Sequence, residues 1–199
     1  MLYQPNWSPE CYLKAWDFAC LAHRGQRYTG HVPGVIYDYI NHPAAVAMEV
    51  MHALCAHPHY DGNLALQCAL LHDTLEDTEV SYSDLSLLFT KAVADGVQAL
   101  SKNPQLPKAE QMRDSLARIQ QQPYEVWLVK LADRINNLQY APPYWSEAKV
   151  QAYKDEAELI LQSLGAASAV LSQRLAERIQ AYGTELAVTP HQHLVNDRV

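Results

Sequence analysis

A chain of 199 residues, 49% of them hydrophobic, is long enough to bury one sizeable core and short for two. Fifteen Lys and Arg against 22 Asp and Glu leave a formal charge of −7 and an isoelectric point near 5.7. That balance argues against a nucleic-acid polymer or an anionic membrane as partner, because both demand a broad basic face, and leaves room for a small anionic ligand held by a few local cations.

In chain order, the opening MLYQPNWSPE has neither a charged n-region nor an apolar h-region, and no apolar run reaches membrane-spanning length. A soluble, non-secreted protein is expected. Ser8 as cap and Pro9 at the first position open a helix on which Tyr12, Trp16, Ala19 and His23 share a face. His23 reads as a satisfied core histidine, slightly ahead of a catalytic one. GQRYTGHVPGVIYDYIN, dense in Gly, Pro and aromatics, reads as an irregular loop. Pro43 suits a helix start, so His42 projects from it, and Val46, Val50 and Leu54 line one side of a helix running to about His57. His52, His57 and His59 are expected to be exposed, and HPHYDGN turns the chain.

The stretch Leu70 to Thr78, LLHDTLEDT, organises the rest. Leu64, Cys68, Leu71 and Leu75 keep helical spacing, so His72, Asp73, Glu76 and Asp77 fall one turn apart in two pairs at one helix end. Adjacent His and Asp offer an imidazole nitrogen and a carboxylate oxygen, which suits a divalent ion such as manganese, iron or zinc. Two ligands do not hold a metal, and the chain offers His42 in YINHP and Asp133 in KLADR as the others. Asp133 lies on a helix opened by Pro123, where Val126, Lys130, Asp133 and Asn137 form one row and Leu128, Leu131, Ile135 and Leu138 another. Charges beside a core-facing stripe call for a partner ion. A lone His-Asp pair is more often a surface feature; the joint pattern on three helices favours a metal.

Beyond Asp77, Ser81 with Asp84 is a capping-box signature for a short helix bearing Leu85, Leu88 and Phe89, and Val93, Val97 and Leu100 mark the next. SKNPQLPK is a connector, Ala109 to Gln122 a polar helix, and Ser146 caps a helix with Lys149 and Tyr153 one turn apart. On that helix Val150, Tyr153, Ala157, Ile160 and Leu164 face the core and Gly165 is a stop, followed by a last helix over about Ala166 to Tyr182. Cys11, Cys20, Cys55 and Cys68 show no CxxC spacing and read as buried thiols in a reducing cytoplasm. His191 and His193 fall in a weakly patterned tail. With no repeat or strand pattern, an all-α bundle of roughly eight to ten helices is expected. A single domain over residues 1–183, with a flexible tail over 184–199, is expected.

The order H, HD, D resembles that of the HD-domain metal-dependent phosphohydrolases. More narrowly, the chain resembles the hydrolase half of the RelA/SpoT alarmone enzymes and the stand-alone small alarmone hydrolases, including the metazoan type. AHRGQR, YINHP, ALLHDTLEDT, LPK, VKLADRINNL and WSEAKVQAY carry this, in family order over nearly the whole chain. Most of the weight behind a metal site comes from this resemblance. It implies an HD-domain fold in which His42, His72, Asp73 and Asp133 hold manganese or another divalent transition metal. Glu76 and Asp77 then supply acid-base catalysis, with their roles undivided. The resemblance further implies that Asn137 meets the ribose, Arg24 supports the substrate or the acidic pair, and Lys108 reaches a distal phosphate, against plain solvent exposure at even odds. Lys149 and Tyr153 match positions that hold 5′ phosphates. Arg27 and Tyr28 stand where the family has a basic pair, and GHVPGVIYDY replaces its shorter run, which leaves guanine or adenine preference open.

The implied reaction removes the 3′-pyrophosphate of (p)ppGpp or (p)ppApp, giving a 5′-nucleotide and pyrophosphate, with no synthetase half and no nucleic-acid or membrane partner. Two alternatives are an HD-type phosphatase on NADPH or a nucleoside monophosphate, and a catalytically silent nucleotide-binding module. The sequence does not distinguish monomer from homo-oligomer.

Overall fold

The computed structural model describes residues 6–29 and 35–184. In chain order these form α1 (Pro9–Ala22), a hairpin of β1 (Arg27–Thr29) and β2 (Ile36–Asp38), α2 (Asn41–Leu54), α3 (Gly62–Leu71), the single turn α4 (Thr74–Asp77), α5 (Tyr82–Leu88) and α6 (Lys91–Leu100). Then come α7 (Lys108–Ile119), α8 (Tyr124–Asn137), α9 (Glu147–Leu164), a 3₁₀ turn (Gly165–Ala167) and α10 (Ala169–Ala181). Ten α-helices among the described residues agree with the all-α bundle the pattern calls for. None is long and apolar enough to cross a membrane.

Polar caps set most of these starts. Ser8, Asp61, Thr90, Ser146 and Ser168 each accept a hydrogen bond from the backbone N–H three residues on, and Ser81 with Asp84 closes a reciprocal capping box. α3 is the centre of the bundle. Apart from Asn63 it is buried along its whole length, because α1, α2, α6 and α8 pack around it. α8 is the second buried helix, with Leu128, Leu131 and Ile135 in the core, and it also supports α9 and α10. A bidentate pair fastens α10 to α2, with Arg174 Nε 2.7 Å from Glu49 Oε2 and Nη2 2.5 Å from Oε1.

Several expectations need correcting. The segment read as an irregular loop contains the antiparallel hairpin, with Tyr28 opposite Tyr37; three-residue strands are too short to display alternation. α2 starts at Asn41 and ends at Leu54, so Pro43 is its third residue rather than its first. Gly165 ends α9 with φ −58 and leads into the 3₁₀ turn, without the left-handed cap expected of a glycine stop. Of the four free cysteines only Cys68 is buried; Cys11 and Cys20 are half-buried and Cys55 is exposed. His57 is half-buried, its Nε2 lying 3.1 Å from Ser168 Oγ, whereas His52 and His59 are exposed. The readings made for 185–199, His191 and His193 among them, lie outside the described residues.

At the crossing of α3, α6 and α8, a Cβ on Gly96 would stand 2.8 Å from Cys68 Sγ and 2.9 Å from Val126 Cγ2. We expect Gly96→Ala to destabilise the fold, because overpacking of about 1–3 kcal/mol exceeds the helix-propensity gain of up to about 1 kcal/mol. In urea melts, pairing it with Cys68→Ala should cost less than the sum of the two single changes.

Candidate active site

The site begins where α3 stops. His72 is the cap of α3 and Asp73 (φ −98, ψ −3) opens α4, so the chain turns at this dipeptide. Backbone groups freed by the turn are recovered locally. Thr74 Oγ1 donates to the Leu71 carbonyl at 2.7 Å, Thr78 Oγ1 to the Thr74 carbonyl at 2.6 Å, and the N–H groups of Glu76 and Asp77 both reach the Asp73 carbonyl. The expected single helix end is thus a break between two helices, which aims His72 and Asp73 inward and leaves Glu76 and Asp77 on the rim.

His42 near the start of α2, His72 and Asp133 in α8 are all buried, and each offers a ligand atom within 4.8 Å of the others. Asp73 joins them, its Oδ2 lying 3.0 Å from His72 Nε2 and 3.6 Å from His42 Nε2. His42 Nδ1 donates to Asn136 Oδ1 at 2.9 Å and His72 Nδ1 to the Ala69 carbonyl at 2.8 Å. Each imidazole is therefore fixed with its Nε2 lone pair facing the other ligands, the usual outer-shell arrangement of metal-binding histidines. His72 Nε2 is buried, and its 3.0 Å contact with Asp73 Oδ2 lacks hydrogen-bond geometry. Two nitrogens and carboxylate oxygens converging on such an atom fit a divalent transition metal.

The electrostatics follow from burial. Asp133 loses water, yet Lys130 Nζ at 2.9 Å and His42 Nε2 at 3.4 Å hold its carboxyl well below the usual range. Lys130 thus provides within the chain the counter-charge expected of an ion. Asn137 Nδ2 also donates to Asp133, at 2.6 Å. For His72, burial opposes the charge, but the carboxylates of Asp73 and Asp133 outweigh it and push the imidazole up to about 9 in the absence of an ion. Asp77 moves upward instead, by burial first and then by the charges of Asp73 and Glu76. Glu76 is pinned by Lys102, whose backbone N–H donates to Oε2 at 2.9 Å and whose Nζ lies 3.2 Å from Oε1.

Tyr39 joins the two carboxylate sets. Its hydroxyl donates to Asp73 Oδ2 at 2.6 Å and lies 3.2 Å from Asp77 Oδ2. Burial and the nearby carboxylates push its pKa far up, so it stays a donor. The ring rests on buried His23, whose Nδ1 meets Gln26 Oε1 at 2.8 Å while Gln26 Nε2 donates to the Asp77 carbonyl. His23 thus supports the rim from the core, but its buried Nε2 has no hydrogen-bond partner, so it is not the satisfied core histidine expected.

The other expected residues divide. Tyr28 comes to the site, its ring centroid 6.0 Å from that of His42. Tyr153 packs 4.3 Å from the guanidinium of Arg134, the buried neighbour of Asp133. Arg27 points to solvent and pairs with Asp38, and Lys149 lies over the Trp145 ring. Arg24 and Lys108 are exposed, and no hydrogen bond or ion pair joins either to the cluster. Sequence reasoning missed Tyr39, Asn136 and Lys102. The first two stand within or beside quoted motifs; Lys102 carries no local signal.

Asn136→Ala should lower metal affinity by about 10–100-fold while leaving the melting temperature of the metal-free protein nearly unchanged, as read by calorimetric titration and thermal melts. Because a raised His72 holds a proton until pH rises through about 9, ion binding near neutrality must displace it. Metal affinity should therefore climb with pH and level off above that value. Titrations in buffers of different ionisation enthalpy should show about one proton released per ion.

Residues 15–170 match the HD domain family. The chain is 32% identical over 182 residues to the zebrafish (Danio rerio) guanosine-3′,5′-bis(diphosphate) 3′-pyrophosphohydrolase MESH1, covering 87% of this chain and 95% of that protein. Against the human (Homo sapiens) protein of the same name it is 34% identical over 178 residues, covering 86% and 94%. A solved structure described as a metazoan ortholog of SpoT that hydrolyses ppGpp superposes with a TM-score of 0.73 at 26% identity, over 90% of this chain and 99% of that one. Sequence, fold and the buried His/His/Asp cluster agree: the chain belongs to the HD-domain family, with the stand-alone 3′-pyrophosphohydrolases among its relatives.

Proposed function

We propose that this chain is a manganese-dependent hydrolase of the 3′-pyrophosphate of purine alarmone nucleotides, releasing pyrophosphate and leaving a 5′-nucleotide. The observation that carries this reading is the buried His42, His72, Asp133 cluster with Asp73 beside it and Glu76 and Asp77 one turn away. Similarity to proteins named for that activity, over nearly their full length, supports the choice of substrate. Four cysteines without a disulfide are compatible with a reducing cytoplasm as its location.

His42, His72, Asp73 and Asp133 would hold the ion. When bound, a divalent cation neutralises charge on a phosphoryl oxygen and makes water more acidic. Water adds to the phosphorus next to the ribose, the bond to the 3′ oxygen breaks, and that oxygen leaves with a proton. Asp77, whose pKa burial and its acidic neighbours raise above the usual carboxylate value, is suited to give that proton. Glu76 is suited to take the proton from the attacking water, while Tyr39 keeps Asp77 oriented. Asn137, which donates to Asp133, is assigned to the ribose, and the Tyr28 ring near His42 offers a stacking face to a purine.

With manganese, the full chain should release pyrophosphate from guanosine or adenosine 3′-pyrophosphates, and a chelator should abolish this. Orthophosphate as the product would instead identify a different phosphatase, and nucleotide binding without metal-dependent turnover a silent module. Asp73→Ala should lose both metal and turnover. Glu76→Ala should keep metal and lose roughly a hundredfold or more in rate; equal metal loss in both overturns the assignment.

A further inference from the structure

The substrate proposed above carries several negative charges, and the cluster that would receive it is itself acidic. Asp73, Glu76, Asp77 and Asp133 stand together. Of two nearby cations, Lys130 is buried against Asp133, and Arg134, buried against the Tyr153 ring, pairs with Glu156 through Nη2 and keeps Nε and Nη1 without partners, with no route to solvent. The cations expected to bind phosphates are turned elsewhere: Arg27 toward Asp38, Lys149 onto Trp145, Lys108 into solvent. Among the described residues, Lys102 combines contact with the catalytic rim and access from solvent, its side chain 42% exposed.

Lys102 follows Ser101, the extended cap of α6, so its backbone and side chain face the same carboxylate. The charges acting on its ammonium are Glu76, Asp133 and Glu156; burial works against the cation, but these carboxylates hold its pKa above the usual value. Its direct contact is with Glu76, which stands one turn from Asp73. Both Glu76 oxygens accept a hydrogen bond in this arrangement, and the ammonium on Oε1 lowers the basicity of the carboxylate toward water.

We propose that Lys102 is a substrate-displaced clamp: its ammonium leaves Glu76 Oε1 for the scissile pyrophosphate, freeing that oxygen while the Lys102 N–H keeps Oε2 in place. A pyrophosphate presents more negative charge and more acceptors than one carboxylate, so the exchange runs toward the substrate. The backbone bond needs no side-chain movement, so Glu76 stays oriented as it becomes competent. Binding the correct anion and readying the base are then one event.

This inference rests on the proposed pyrophosphohydrolase reading, and its test has an arm that does not. Inorganic pyrophosphate is titrated into the manganese-loaded full chain by calorimetry, for wild type, Lys102→Met and Lys102→Arg. We expect Lys102→Met to weaken pyrophosphate binding by about tenfold or more, with manganese affinity unchanged, and Lys102→Arg to recover most of the loss. In steady-state assays with the nucleotide, KM should rise by a similar factor in Lys102→Met. Unchanged pyrophosphate affinity and KM, with the loss confined to kcat, would make Lys102 a mere tether for Glu76 and overturn the proposal. A wild type that binds pyrophosphate through Lys102 and releases none from the nucleotide would overturn the proposed substrate and leave the anion clamp standing.

Discussion

A carboxylate cannot sit unaccompanied in the middle of a helical core, and the architecture around Asp133 answers that constraint. Lys130 comes from its own helix, His42 from α2, His72 from the end of α3, and Asn137 from one turn further on. These groups converge only if α2, α3 and α8 hold one relative placement. That placement is enforced from the opposite side of α8 by Leu128, Leu131 and Ile135, which are essentially inaccessible to solvent. Core and site are two faces of one packing arrangement. A loss of apolar contact behind Asp133 is therefore felt as misplaced ligands before it is felt as unfolding.

Chemistry and recognition are carried by different kinds of structure. The metal cluster stands on long buried helices and on a break whose backbone bonds are recovered by threonine hydroxyls. Rigid elements hold ligands to the tolerance that coordination demands. The surfaces that would meet the nucleotide lie instead on the hairpin, on the connector after α6 and at the start of α9. Such segments can change composition without disturbing the core. The Arg27-Tyr28 departure from the family pattern falls on one of them.

What could be read from the residues alone follows the same division. Spacing singled out His72, Asp73 and Asp133 as candidates, most of the weight behind a metal came from the family resemblance, and the fold brings His42, His72 and Asp133 together. The hairpin was not legible, since the pairing of Tyr28 with Tyr37 joins segments nine residues apart and each strand is too short to alternate visibly. Cation placement was the least legible. Lys102 and Lys108 belong to the same connector, and only the exit direction of α6 decides which one meets Glu76. Lys130 was seen on the ligand row, yet its role as internal counter-ion depends on a burial that periodicity suggests without fixing its partner. Tyr39 lay inside a quoted motif, but its hydroxyl acts across 34 residues of chain.

The threonines of HDTLEDT bear on what that string of letters means. Thr74 and Thr78 bond to carbonyls left over at the helix break, so two of its seven positions serve the backbone and touch none of the reacting groups. The string thus records a way of ending a buried helix as much as a way of cutting phosphate esters. A random-substitution library across this segment would mix misfolded with inactive clones, and only a parallel measure of soluble yield would tell the two populations apart.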